Sequence, residues 1–266
     1  MAVDKLVDST QLDADLTSVA NAIRTKGGTS AQMAFPAGFV SAVQNIPCGD
    51  ENLSILKQIT NLKDAFSFTT ISDFDFDFTG FNNLYDMSNM FMAASINSKT
   101  VKIRNLVSQR TNFNVGTMFY YSGGGIKRIE FINCNFAPAQ WNEFVRTCQV
   151  EEIIGDLDFS NASNVGSMFW DAPRLKEIRF RQNTVTINMS QSGLESCALL
   201  SDASLISIAN GLSTNATSAV IPLHTTPKSR CSEIMGTNDN GTFIVDLTGA
   251  LSLADFITNV KGWTIA

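Results

Sequence analysis

The sequence predicts an α+β solenoid of short strands and helical turns behind an N-terminal helical hairpin. Three observations carry this expectation: a Met-Phe pair that recurs in matched context, a strand-like run after each pair, and a polar break near residue 48 that separates two kinds of pattern. The 266 residues are 44% hydrophobic and 17% charged, enough apolar side chain for a substantial core and too little charge for a disordered chain.

Residues 13–25 place Leu16, Val19, Ala20 and Ile23 at helical spacing, with Asp13 or Asp15 as a cap and Gly27-Gly28 as a stop. A second short helix is expected from Pro36, whose fixed φ suits a first helical position, through Phe39, Val40, Val43 and Ile46 to the breaker Pro47. Residues 1–47 therefore form one module. The polar stretch Cys48-Gly49-Asp50-Glu51-Asn52 is the boundary, and residues 53–266 form a second module.

In that second module the marker is Met87-Ser88-Asn89-Met90-Phe91, Asn114-Val115-Gly116-Thr117-Met118-Phe119 and Asn164-Val165-Gly166-Ser167-Met168-Phe169. The last two copies are followed by Tyr120-Tyr121 or Trp170. A strand-like run comes next, Ile126-Lys127-Arg128-Ile129-Glu130-Phe131 or Leu175-Lys176-Glu177-Ile178-Arg179-Phe180. Met118 and Met168 lie 50 residues apart, two units of about 25, and Asn142-Glu143-Phe144 with Val150-Glu151-Glu152-Ile153 fills the gap. A degenerate unit follows at Gly193-Leu194, with Leu199 and Leu200 behind it, and Gly123-Gly124-Gly125 is an insertion. One such unit cannot bury its own apolar face, so the units must stack: Met-Phe pairs form an internal ladder, and Ile126, Ile129, Phe131, Leu175, Ile178 and Phe180 line the sheet side of the core. A helix at 202–212 and a final unit at 250–266 are expected to cap the stack, after a turn at 238–242 and a strand at 243–247.

The Asn-Val-(Gly/Ser)-x-Met-Phe segment followed by a Leu/Ile strand resembles the BspA-type leucine-rich repeat, over roughly residues 60–210. Two further segments extend the likeness. Residues 16–30 with Ala34-Phe35-Pro36-Ala37-Gly38-Phe39 look like the opening of tail-associated structural proteins of bacteriophages, and Val260-Lys261-Gly262-Trp263-Thr264-Ile265 resembles their closing strand. The pattern departs from the family between Phe136 and Gly155, where the Met-Phe pair is lost. The resemblance implies a leucine-rich-repeat-like solenoid in a virion structural protein of the tail or baseplate. Its role would be a receptor-binding or fibre component, or else a head or tail decoration protein with a purely structural role. The implied partners are other virion proteins through residues 1–47 and a host surface glycan or protein, with the chain acting as a homo-oligomer, taken as a trimer.

Composition and motifs argue against other classes. The 19 basic and 25 acidic residues give a net charge of −6 with no basic run, so nucleic acid is not an expected partner. No stretch approaches the roughly 18 apolar residues of a membrane span, and residues 1–11 lack the basic and apolar regions of a secretory signal; virion release by lysis fits that reading. Cys48, Cys134, Cys148, Cys197 and Cys231 show neither disulfide nor zinc spacing and read as small buried residues. His224, the only histidine, stands before a Pro-terminated turn and reads as a solvated or helix-entry residue. Asp73, Asp75 and Asp77 alternate with Phe74, Phe76 and Phe78, which puts acids on one strand face and rings on the other; the sixth and twelfth positions of a calcium loop would be Phe78 and Leu84, so the EF-hand template fails. Glu151, Glu152, Asp156 and Asp158 are not placed across any cleft, and Gly123-Gly124-Gly125 lacks the ending of a phosphate loop. The expectation is a protein without catalytic residues, metal or cofactor.

Overall fold

The computed structural model describes residues 17, 18, 20, 21, 58–108, 110–122, 125–214, 216, 219–235 and 250–266. The chain divides into two compact units, Met1–Leu56 and Lys57–Ala266. In the first, Thr17, Ser18, Ala20 and Asn21 are helical, inside the segment where a helix is expected. The second expected helix at 36–46, the boundary at 48–52 with Cys48, Gly123-Gly124, and the turn and strand at 238–247 lie outside the described residues.

The second unit is a β-solenoid of about four turns, and all strand pairings among its described residues are parallel. Its main sheet aligns β2 (Phe74–Asp77), β4 (Thr100–Arg104), β6 (Arg128–Ile132), β8 (Glu152–Leu157) and β9 (Glu177–Phe180) in that order. Two-stranded ladders pair β1 (Thr70–Ile71) with β3 (Ser95–Ile96), and β5 (Val107–Ser108) with β7 (Asn135–Phe136). In β4 and β6 burial alternates strictly, with Val101, Ile103, Ile129 and Phe131 inward. Sheet-side residues Ile126, Leu175, Ile178 and Phe180 are buried as expected.

Each coil passes through one bridge residue, and these residues stack as Asn61, Asp86, Asn114, Gln140 and Asn164, spaced 25, 28, 26 and 24 residues apart. From four of them the side-chain oxygen accepts from the N–H two residues on: Lys63, Ser88, Gly116 and Gly166, at 2.7 to 3.0 Å. This Asx turn is what the Asn of the repeat motif is for.

The segment after it corrects the expectation of helical turns. It is a run of tight turns in which residues at matched places, Asp64, Asn89, Thr117, Glu143 and Ser167, and again Phe68, Ala93, Tyr121, Thr147 and Asp171, take positive φ of 54 to 59°. Alternate N–H groups leave the coil: Asn89 donates to the carbonyl of Gly116, Phe91 to Met118 and Ala93 to Tyr120. The intervening ones, Met90, Met92 and Ala94, close turns within the coil onto Met87, Asn89 and Phe91. An α-helix is about 10 Å wide and directs every N–H along itself, whereas parallel coils share backbone hydrogen bonds only at about 4.8 Å. Stacked turns satisfy that spacing where helices would not.

The Met-Phe ladder lies in the core. Met90, Phe91, Met118, Phe119, Met168 and Phe169 are buried, and the lost copy is filled by Phe144 and Val145, equally buried and in the same hydrogen-bonding register. Phe91 stacks on Phe66 and Phe119 at ring separations of 5.6 and 5.3 Å. The departure between Phe136 and Gly155 is thus one of residue identity, except that β8 shifts register between Glu152 and Asp156. There Gly155 has φ +116°, and a Cβ would stand 2.7 Å from the carbonyl oxygen of Phe131.

The C-terminal end of the stack is capped. Helix α1 (Asp202–Gly211) starts at Ser201, whose Oγ accepts from the Ser204 N–H, and covers the edge of β9. Two of its hydroxyls continue the ladder in place of a strand: Ser204 Oγ accepts from the Ile178 N–H and Ser207 Oγ from the Phe180 N–H, each at 3.0 Å. Helix α2 (Thr225–Glu233) follows, then α3 (Leu253–Asp255), which runs into a π-helical turn at Phe256–Val260. Strand β10 (Val220–Ile221) pairs with β11 (Thr264–Ile265), and Trp263 is buried with its Nε1 donating to the Ser213 carbonyl. The buried Lys261 ammonium donates to the Leu212 carbonyl at 2.8 Å and to Asn183 Oδ1, so the Lys-Gly-Trp segment fastens the cap.

Candidate functional site

Most of the titratable residues singled out by the sequence are engaged in holding the fold; Asp156 is exposed. Asp75 receives Arg104 through Nε and Nη2, at 2.5 and 2.7 Å, and these bonds hold its carboxyl below the usual range. Asp77 accepts from Thr79 and Asn105, with the same effect on its pKa. Asp73 Oδ1 accepts from the Phe74 N–H. Of the rings opposite, Phe74 and Phe78 are buried, while Phe76 on this first strand of the sheet is 37% exposed. Glu151 lies between Lys127 and Lys176, at 2.9 and 3.0 Å, and their hydrogen bonds hold it down to about 2. Glu152 pairs with Arg128, and Asp158 with Arg181 at 2.8 Å. Much of the outer sheet face is a ladder of opposite charges held in pairs, while Asp156 and Arg179, opposite each other on β8 and β9, form no ion pair among the described residues.

His224 caps α2, its Nδ1 accepting from the Thr226 N–H at 3.2 Å. Cys148, Cys197 and Cys231 are buried thiols, and burial pushes Cys197 up to about 12 and Cys231 up to about 11. Cys134 is half-buried. Among the described residues no group of three or more His, Cys, Asp or Glu could hold a metal ion, and no helix is long and apolar enough to cross a membrane.

The surface feature that the fold does not use is an outer corner of the turn stack. After the buried second residue of each Met-Phe position come two outward residues, and the next is inward again: Ala94, Ser122, Cys148 and Ala172 are buried. The outward pairs, coil by coil, are Ser67-Phe68, Met92-Ala93, Tyr120-Tyr121, Arg146-Thr147 and Trp170-Asp171. Their alignment is set by the bonds from the N–H groups of Phe68, Ala93, Tyr121 and Thr147 to the carbonyls of Met92, Tyr120, Arg146 and Trp170, at 2.9 to 3.0 Å. Phe68 is 75% exposed, Tyr121 60% and Trp170 48%. The Arg146 guanidinium lies 5.8 Å from the Tyr120 ring centre and is paired with Glu143. A left-handed backbone costs a side-chain-bearing residue about 1–2 kcal/mol, yet Phe68 and Tyr121 adopt it with φ 56° while leaving their rings in water.

Sequence reasoning noted Tyr120-Tyr121 and Trp170 as caps of the repeat but did not align them with Phe68. The signal was available: each lies just after the Met-Phe position, Trp170 at the first place and Phe68 and Tyr121 at the second. No family model, curated protein or solved structure matches this chain.

Proposed function

We propose that this chain is a non-catalytic attachment protein of a bacteriophage tail or baseplate, of the BspA-type leucine-rich-repeat kind, held in the particle through residues 1–47 as a helical hairpin. The solenoid presents its corner to the host surface. The observation that carries the reading is the group of exposed rings Phe68, Tyr121 and Trp170 at one corner of a hydrogen-bonded backbone, a surface suited to binding. The phage assignment itself rests on the resemblance of residues 16–39 and 260–265 to tail-protein ends.

Immunogold labelling of intact particles with antibody against this chain tests it. Label at the tail tip or fibres is expected. Label on the head or along the tail tube would replace attachment with decoration, and unlabelled particles would overturn the virion assignment.

A further inference from the structure

We infer that the N-terminal edge of the solenoid, centred on β2, is a docking site for an extended strand of another protein, basic on one face and apolar on the other. This goes beyond the attachment reading and does not rest on it. The first coil, residues 58–80, leaves the core open in cross-section. Phe76 is 37% exposed, whereas Ile103 and Phe131, its counterparts by register on β4 and β6, are buried. Likewise Phe66 and Ile71 are only half-buried, where Phe91 and Ile96 in the next coil are fully buried. The backbone is open at the same place. Phe78 donates to the Arg104 carbonyl, and by the alternation of a parallel strand Phe76 also faces β4, so the N–H and C=O groups of Asp75 and Asp77 point off the sheet edge. In the turn segment, the carbonyls of Asp86, Ser88, Met90 and Met92 accept from the first coil, while the matching carbonyls of Asn61, Lys63, Ala65 and Ser67 accept from no backbone N–H among the described residues.

Charge selects the occupant. Residues 58–80 carry Asp64, Asp73, Asp75 and Asp77 against Lys63 alone, and of these acids only Asp75 is in an ion pair among the described residues. On its inner edge β2 is already met by a strand of the inferred kind. There β4 alternates buried Val101 and Ile103 with outward Lys102 and Arg104, and both cations reach Asp75. A strand of the same character on the outer edge covers Phe76 with its apolar side chains, sets a cation beside Asp77 and bonds to the backbone of Asp75 and Asp77. A second copy meeting this one edge to edge would set aspartate against aspartate and, along the turns, carbonyl against carbonyl. Nor can a second copy add its far end, because α1 closes that end and its Ser204 and Ser207 hydroxyls take the N–H groups of β9.

Amide exchange of the full chain, followed by NMR, tests the site. The probe is a synthetic peptide copying residues 98–106, which contain β4, and the control is the same peptide with Lys99→Glu, Lys102→Glu and Arg104→Glu. In the chain alone the amides of Asp75 and Asp77 should exchange fast, and that of Phe76, bonded to β4, more slowly. The basic peptide should slow both edge amides about ten-fold, and the acidic control should leave them unchanged. Asp77→Asn keeps the Oδ1 acceptor for Thr79, so it should leave the Tm in place while weakening binding of the basic peptide. Slow exchange of both edge amides in the monomeric chain before peptide is added would mean that the chain itself occupies the edge, and overturns the proposal. Protection that appears only as the chain dimerises, followed by light scattering, would assign the edge to a second copy and overturns it as well. A basic peptide that leaves the two amides unprotected, or binds no better than the acidic one, does the same.

Discussion

Positive φ at non-glycine residues is the residue-scale signature of this protein, with two such positions in each turn segment. Thr117 and Thr147 are the least suited of them, since a β-branched side chain crowds a left-handed backbone; Thr117 Oγ1 donates to the Gly116 carbonyl at 2.5 Å, and Thr147→Asn should raise stability by about 1 kcal/mol in urea unfolding. Gly155→Ala should do the reverse: a Cβ meets the Phe131 carbonyl oxygen at 2.7 Å and holds an unfavourable φ, a cost of about 1–3 kcal/mol in the same assay. Glu151 gives the chain a pH dependence. Its folded pKa, about 2, is below its ordinary value of 4.5, so the stabilisation from Lys127 and Lys176 is complete above pH 4.5 and is lost as pH falls through about 2. The Tm difference between wild type and Glu151→Gln should therefore be largest near neutrality and close in strong acid.

At the scale of elements, the turn stack and the α1 cap are the two devices that the strands depend on. Met118 is buried between neighbouring coils, and Met118→Ala should cost about 2–5 kcal/mol, seen as a lowered denaturation midpoint. Ser204 and Ser207 act through hydrogen bonding. Replacing either by Ala leaves the N–H of Ile178 or Phe180 without its acceptor, at about 1–3 kcal/mol each, read by calorimetry and by faster amide exchange at that position. Helix α1 was expected as a cap of the stack, and in the structure Ser201 caps it while Leu205, Ile206, Ile208 and Ala209 bury its inner face. The turn segments were read as helical because Met-Phe pairs after polar residues have no period that separates a helical turn from consecutive β-turns.

For the whole molecule the ends of the stack decide solubility. The C-terminal end is closed by α1, the β10–β11 pair and the Lys261 and Trp263 anchors, while no described strand pairs with the outer edge of β1 or β2. A chain ending at residue 200 would expose the edge of β9 and the core face beneath α1. It should aggregate, as followed by light scattering, whereas the full chain should stay dispersed.

The sequence by itself determined that units of about 25 residues stack, that Met-Phe pairs and alternating Ile and Phe positions share one core, and that a helix near residue 202 ends the stack; each is a matter of spacing between apolar side chains. Only the tertiary structure decided that stacked β-turns replace helices, that Phe144 and Val145 restore the lost repeat, and that Phe68, Tyr121 and Trp170 come to one corner of the stack. Those outcomes follow from parallel coils meeting at a backbone hydrogen-bonding distance. That distance sets the register between coils, so residues about 25 positions apart in the chain become near neighbours.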